Sequence, residues 1–320
     1  MIPPFPVILL KSDIGFRKSF SGKFPHADIS LLITAGIILW LMLFPLAHRT
    51  ASAFEQPMIE AGMGYFEGYS PHYLGSNHYH FASFPFPVLV VRLDRLQAGD
   101  NTRLFLFEND NLLLDISLDG RLPVDSDPVD AGQPKGAERQ DSMLFRNTNY
   151  TRRGMPNLPV AGFAGLKLKW YMNEWLYVKI PFVTGVTLGN GFLPVGNTMA
   201  PEISLDLFGR HSSNMLKFSV SSTLADSSYM NYYYQVSPQY ALPDRPVFKP
   251  EPGLVDITWE LIAGMKLKPF LWIGGVLYLH DMRNSRVLDS PLVVAPISHS
   301  VGVGLTFHFW QSDIMVYSWK

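Results

Sequence analysis

The sequence predicts an all-β protein: an antiparallel up-and-down transmembrane β-barrel of about ten to twelve strands, preceded by an N-terminal signal segment. Three observations carry that expectation. One long apolar run near the N-terminus has basic residues before it and small residues after it; the rest of the chain alternates apolar and polar residues; and aromatic residues gather where the alternating stretches end.

The apolar run covers residues 29–47, behind Lys11, Arg17, Lys18 and Lys23 and ahead of Ala51-Ser52-Ala53, whose small residues occupy the positions a signal peptidase reads. The expected division is 1–53 as a signal peptide with a long basic and polar extension, and 54–320 as the barrel. The length of that extension is what an upstream start codon taken in error would give. An uncleaved single-span anchor is the other reading, since the run just crosses ~30 Å of hydrocarbon. Cleavage after Ala53 removes five basic residues (Lys11, Arg17, Lys18, Lys23, Arg49) and two acidic ones (Asp13, Asp28), so a formal net charge of -1 becomes about -4.

Composition narrows the function classes. Charged residues are 17% of the 320, against roughly 25% in an ordinary soluble domain, and aromatics are 13%, which disfavours disorder and coiled coil. A near-neutral chain lacks the basic field that nonspecific nucleic-acid binding needs. With no cysteine, disulfides, thiolate metal sites, cysteine nucleophiles and a lipoprotein anchor are excluded.

The clearest alternation spans 254–268. Trp259, Leu261, Ala263 and Met265 are expected to face lipid, and Thr258, Glu260, Gly264 and Lys266 the lumen, because successive strand side chains point to opposite faces. The same period marks 164–171, 216–221 and 301–309. Further candidates are 58–66, 87–94, 103–107, 111–118, 175–186, 202–208, 230–237 and 270–280. Lys167, Lys169, Lys217, Asp256, Glu260, Lys266 and Lys268 fall on the polar faces, and Trp170, Trp175, Phe270, Trp272 and Trp310 at strand ends suit the membrane interfaces.

Connection lengths alternate as a barrel requires. Long ones fall at 67–86, 119–159, 187–201, 238–253 and 281–298, and short ones at 95–102, 172–174, 209–213 and 268–269. Ten strands with both termini periplasmic result if 108–111 and 225–228 are kinks within strands; twelve result if they are turns.

No catalytic, cofactor-binding or metal-binding residue is assigned from sequence, and no cofactor is expected. His72, His78 and His80 cluster without a carboxylate or cysteine to complete a metal set. Gly185, Gly189 and Gly191 lack the Gly-Lys-Ser/Thr ending of a phosphate loop and read as turn glycines. Gly302 and Gly304 within a strand make room for a packed lumen. Asp289, Ser290 and His299 are near in sequence, but serine hydrolysis needs geometry. The mixed charges of 119–159 read as a solvated loop.

Ordered blocks along 58–312 resemble the MltA-interacting protein family, MipA/OmpV, of Gram-negative outer membranes. They are Ala61-Gly62-Met63-Gly64, Tyr73-Leu74-Gly75-Ser76, Pro85-Phe86-Pro87-Val88, Arg153-Gly154-Met155-Pro156-Asn157-Leu158, Tyr240-Ala241-Leu242-Pro243-Asp244-Arg245-Pro246, Asp289-Ser290-Pro291-Leu292-Val293 and Val301-Gly302-Val303-Gly304. The resemblance implies a non-enzymatic barrel in the cell outer membrane, in contact with outer-membrane lipid. It also implies a scaffold joining a murein-cleaving lytic transglycosylase to a bifunctional penicillin-binding protein in peptidoglycan turnover. For other relatives it implies a small porin-like channel or an osmotically regulated surface protein. Such barrels end on an aromatic, whereas here 311–320 follows the last regular strand; it is either a tail or carries the assembly signal in Tyr317 and Trp319. Short periplasmic turns offer little surface against the ~1,600 Å² that stable interfaces bury.

Overall fold

The computed structural model describes residues 55–93, 96–98, 103–109, 111–126, 148–189, 191–210 and 212–317. The expected signal segment, 1–53, lies outside them.

The strands in chain order are β1 (Glu55–Pro57), β2 (Ile59–Pro71), β3 (Tyr79–Arg92), β4 (Leu96–Ala98), β5 (Arg103–Glu108), β6 (Leu112–Arg121), β7 (Asp125–Ser126), β8 (Thr148–Asn149) and β9 (Ala161–Tyr171). They continue with β10 (Leu176–Thr187), β11 (Pro194–Met199), β12 (Glu202–Asp206), β13 (Met215–Ala225), β14 (Gly253–Lys268), β15 (Leu271–Asp281), β16 (Ile297–Gln311) and β17 (Met315–Tyr317). One helix, α1 (Ser227–Tyr234), stands between β13 and β14.

The main sheet runs β10-β12-β13-β14-β15-β16-β2-β3-β4-β5-β6-β9 and closes because β9 pairs with β10 from Ala161↔Thr187 to Tyr171↔Tyr177. β11 and β12 share one place in this ring, each pairing with both β10 and β13. The described ring thus has twelve places, of which β4 and β5 are a stub hairpin and the other ten are full strands. Every pairing in it is antiparallel, and neighbours in the chain are neighbours in the wall, as an up-and-down barrel requires.

Two ends differ in build. One carries β1 and β17, the stub hairpin and tight turns. Asn109 Oδ1 accepts from the Asn111 and Leu112 N–H groups at 3.0 and 2.7 Å, and Asn173 Oδ1 from those of Trp175 and Leu176, both at 2.8 Å. A short side chain that mimics a backbone turn lets adjacent strands reverse within a few residues. Here too β1 pairs with β17, Glu55↔Tyr317 to Pro57↔Met315, so residues after β16 fold back onto those before β2. The opposite end carries the described residues of the connections 72–78, 122–126, 148–160, 188–189, 191–193, 226–252 and 282–296.

The expected strand at 230–237 is instead α1. Its tyrosines suit a strand by propensity, but Asp226 caps a helix, its carboxylate accepting from the Tyr229 N–H at 2.9 Å. Burial of Tyr229, Met230, Tyr233 and Tyr234 then gives a helical face. Residues 225–228 are accordingly a strand end and a cap. Residues 108–111 are a turn, since β5 and β6 are antiparallel partners.

Alternation sorts the side chains as expected. Met63, Tyr65, Leu166, Leu168, Phe182, Phe218 and Phe307 point outward and are exposed, while Glu60, Arg92, Asp115, Glu202, Lys217 and Ser219 are buried inside. Leu261 pairs with Phe218 and so shares the outer face; Glu260 pairs with Ser219 and shares the inner one. Two expectations fail, one on facing and one through local register. Trp272 is buried in the lumen, 5.4 Å from the Lys266 ammonium, and a bulge between Lys266 and Lys268 sets Lys268 opposite Leu271 and out of the lumen row.

Candidate functional site

The lumen is a stack of three polar and apolar layers. At the turn end, the Arg92 guanidinium pairs with Glu60 at 2.7 Å and donates to the Pro57 carbonyl at 2.6 Å. Gln311 donates to Glu60 and to the Pro269 carbonyl, and His308 Nδ1 lies 3.5 Å from Glu60. These side chains come from β2, β3 and β16 and make a floor.

Midway, cross-strand neighbours carry opposite charges. Lys179 reaches Glu202 at 2.6 Å, Lys217 sits between Glu202 and Glu260, and Lys167 pairs with Asp115 at 3.2 Å. Lys169 lies over the rings of Tyr177 and Tyr171, 4.1 and 4.7 Å from their centroids. Neutralisation strand by strand leaves little net field along the lumen, so this belt holds the wall together rather than selecting one sign of ion.

At the loop end, connections fold over the mouth and build an apolar core from Tyr73, Met155, Leu158, Tyr229, Met230, Tyr233, Tyr234, Met282, Leu292 and the strand residues Phe163 and Val183. α1 sits against β11 because Gly196, at φ +127°, brings its backbone where a Cβ would lie 2.2 Å from the Tyr229 nitrogen. Hydrogen bonds lock the connections together. Arg152 donates to the Tyr233 carbonyl, Ser290 to that of Tyr234 at 2.8 Å, and Tyr73 to that of Leu292 at 3.0 Å. Four of the quoted sequence blocks, at 73–76, 153–158, 240–246 and 289–293, meet in this cap.

Ser290 is therefore a structural hydroxyl here. His299 lies apart from it, against the stacked rings of Tyr69 and Tyr79. The His72 and His80 rings lie tilted against each other with centroids 4.1 Å apart, and the His78 ring lies 6.0 Å from that of His72. Among the described residues no group of three or more His, Cys, Asp and Glu side chains is arranged to hold a metal ion. Gly191 is in a turn at φ +99°, whereas Gly185 is inside β10, where a Cβ would strike the Phe163 ring.

Sequence reasoning missed one network. His280 Nδ1 is 2.8 Å from Thr258 Oγ1 and 3.3 Å from Asp256, and its Nε2 is 3.4 Å from Ser300 Oγ. The order Asp, His, Ser resembles a hydrolase triad. Its strands β14, β15 and β16 are paired on both sides, which commits their backbone N–H groups to the ladder and leaves no donor pair for an oxyanion. Only the pairing of these strands reveals the network, since its members are 20 to 24 residues apart in sequence.

No curated protein matches the sequence significantly. Among solved structures, the CymD monoaromatic hydrocarbon channel is similar at TM-score 0.33 and 12% identity, over 79% of this chain and 89% of that one. The Ralstonia pickettii toluene transporter TbuX is similar at TM-score 0.30 and 10% identity, over 80% and 90%. The family model described as MltA-interacting protein MipA matches residues 62–309. With that span and this closed antiparallel wall, the chain is an outer-membrane β-barrel protein and belongs to the MipA family.

Proposed function

We propose that this barrel is a non-enzymatic docking protein of the outer membrane, presenting its turn end to the periplasm and holding a murein-cleaving lytic transglycosylase there, with a bifunctional penicillin-binding protein as second partner. The carrying observation is the lumen itself, floored by the Glu60–Arg92 pair, crossed by the Lys217–Glu202 belt and covered by the cap. Such a filled interior favours surface binding over flux. The family name, which speaks of interaction with MltA, points the same way. Tight turns alone would offer too little area, but the β1–β17 pair and the stub hairpin enlarge this end. Leu93, Phe107, Ile314 and Met315 are exposed on and beside them. Exposed apolar side chains gathered at one end suit an interaction site.

A narrow channel is the second reading, favoured by the buried Ser219 and Ser298 hydroxyls, which have no hydrogen-bond partner among the described residues and suit a wetted interior. One paired experiment separates the two. Pull-down from solubilised envelopes should recover a lytic transglycosylase, and Phe107→Glu with Ile314→Glu should abolish recovery while the purified barrel stays silent in bilayers. Ion steps that shift with Lys266→Glu, with no murein enzyme recovered, would replace docking by conduction.

A further inference from the structure

Among the described residues the ring is paired between β3 and β6 only near the turn end, through the stub hairpin. Beyond Val91 and Arg92, which pair with β4, the β3 edge from Tyr79 to Val88 has no ladder partner among the described residues. On the facing strand, β5 reaches β6 only between Leu113 and Asp115. Among the described residues no strand fills the space between these two edges, which form a seam that runs toward the loop end.

Both edges are built for it. The Arg92 N–H donates toward β2, to the Met58 carbonyl, and the β2–β3 register is unbroken, so the nitrogens of odd-numbered β3 residues face the seam. Two of these are Pro85 and Pro87, which have no N–H to leave unpaired. On β6, the Gly120 N–H is taken by Asp119 Oδ1 at 2.7 Å and its carbonyl by the Arg121 guanidinium at 3.1 Å. Edges finished by prolines and by neighbouring side chains resist pairing with another strand.

What closes the seam is apolar side chains. Phe66, Phe84 and Phe86 form a lumen cluster with ring centroids 5.9 Å apart along the series, and Leu122, just past the end of β6, packs on it from the other side. Leu89 and Leu118 flank the seam outside and are exposed. Apolar side chains thus stand both outside and inside this edge, while the Lys179–Glu202–Lys217–Glu260 part of the ion-pair belt lies on β10 to β14, across the ring.

We propose that the β3–β6 seam is a side opening through which the acyl chain of a bilayer lipid reaches the Phe66–Phe84–Phe86 cluster, with Leu122 as its closing side chain. The full barrel is reconstituted in phosphatidylcholine vesicles whose acyl chains carry a diazirine, irradiated, and its adducts are assigned residue by residue. Adducts on Phe66, Phe84 or Phe86 are expected beside those on Leu89 and Leu118, with none on Ser219, and Leu122→Ala should raise the lumen share severalfold. Adducts confined to outward residues such as Leu89, Leu118 and Phe218 would overturn the proposal. Since the chain has no cysteine, a nitroxide at Phe84→Cys gives a second reading. Greater access to oxygen dissolved in lipid than at Ser219→Cys is expected, and equal access at the two sites overturns the opening.

Discussion

Arg245 donates through Nη1 to the Arg153 carbonyl at 2.9 Å, and the Arg153 guanidinium in turn holds the Asp244 carboxylate through two contacts of 2.9 Å. The two loops, 92 residues apart in sequence, are thus fastened to each other twice. Arg245 also donates to the carbonyls of Thr151 at 3.0 Å and Tyr240 at 2.6 Å. Hydrogen bonds from a charged donor are worth about 1.5–3 kcal/mol each. Arg245→Ala should therefore loosen the cap, speeding proteolysis within 226–252, while Asp244→Ala, which removes only the exposed pair, should change little.

Gly64 faces the lumen on β2 where a Cβ would lie 2.2 Å from the Phe86 ring. Gly64→Ala should cost about 1–3 kcal/mol by overpacking. Combination with Phe86→Ala should restore much of that, because the second change opens the space the first one fills. Denaturant unfolding of the two single variants, the double variant and the parent in detergent measures the coupling; simple additivity would show that the ring moves aside freely.

These two sites show what the sequence could and could not reveal. The facing of Leu261 and Glu260 follows from a period of two alone, since pleating fixes it, whereas the placement of Gly302 beside Phe66 depends on the β16–β2 register. The alternation of tight turns and long connections followed from composition. The α1 helix did not, because consecutive tyrosines favour strands until a cap and a core override them. Trp272 was misplaced because an aromatic at a strand end suits a membrane interface, although the alternation of β15 turns it inward; Lys268 was misplaced because period counting loses its phase past a bulge. The cap and the His280 network rest on contacts between distant segments, which pattern cannot pair.

Leu261 stands on the outer face opposite exposed Phe218. Leu261→Arg places a charge against hydrocarbon and should cost about 2–4 kcal/mol near the bilayer midplane. Unfolding of the barrel from lipid vesicles checks this, and a neutral result would place Leu261 near an interface.

Burial in the cap holds the Tyr232 phenol up at about 12 and those of Tyr233 and Tyr234 well above their ordinary value. In an unfolded chain a tyrosine ionises near 10.0. The folded state thus keeps its protons longer, so this contribution to stability is whole below that pH and is lost as pH rises toward 12. Alkaline titration should show α1 tyrosines ionising only as the cap opens, with phenolate absorbance and protease access rising together. Early ionisation with an intact cap would mean that water already reaches these rings.

Lys217 tests the belt. Its ammonium serves Glu202 and Glu260 on the strands to either side, and Glu202 is also held by Lys179 and by the Ser204 hydroxyl at 2.6 Å. Lys217→Met fills much the same volume but leaves Glu260 without its cation. Removing one partner of a buried pair costs about 3–5 kcal/mol when the other charge stays dry, and far less when water can solvate it. Lys179→Met leaves Glu202 with Lys217 and should cost less. The double change Lys217→Met with Glu260→Gln should recover stability if the belt is dry, because the stranded charge is gone. Urea unfolding of the three variants beside the parent barrel gives the answer: a large loss for Lys217→Met with recovery in the double variant describes a sealed lumen, and small losses throughout describe one that water enters.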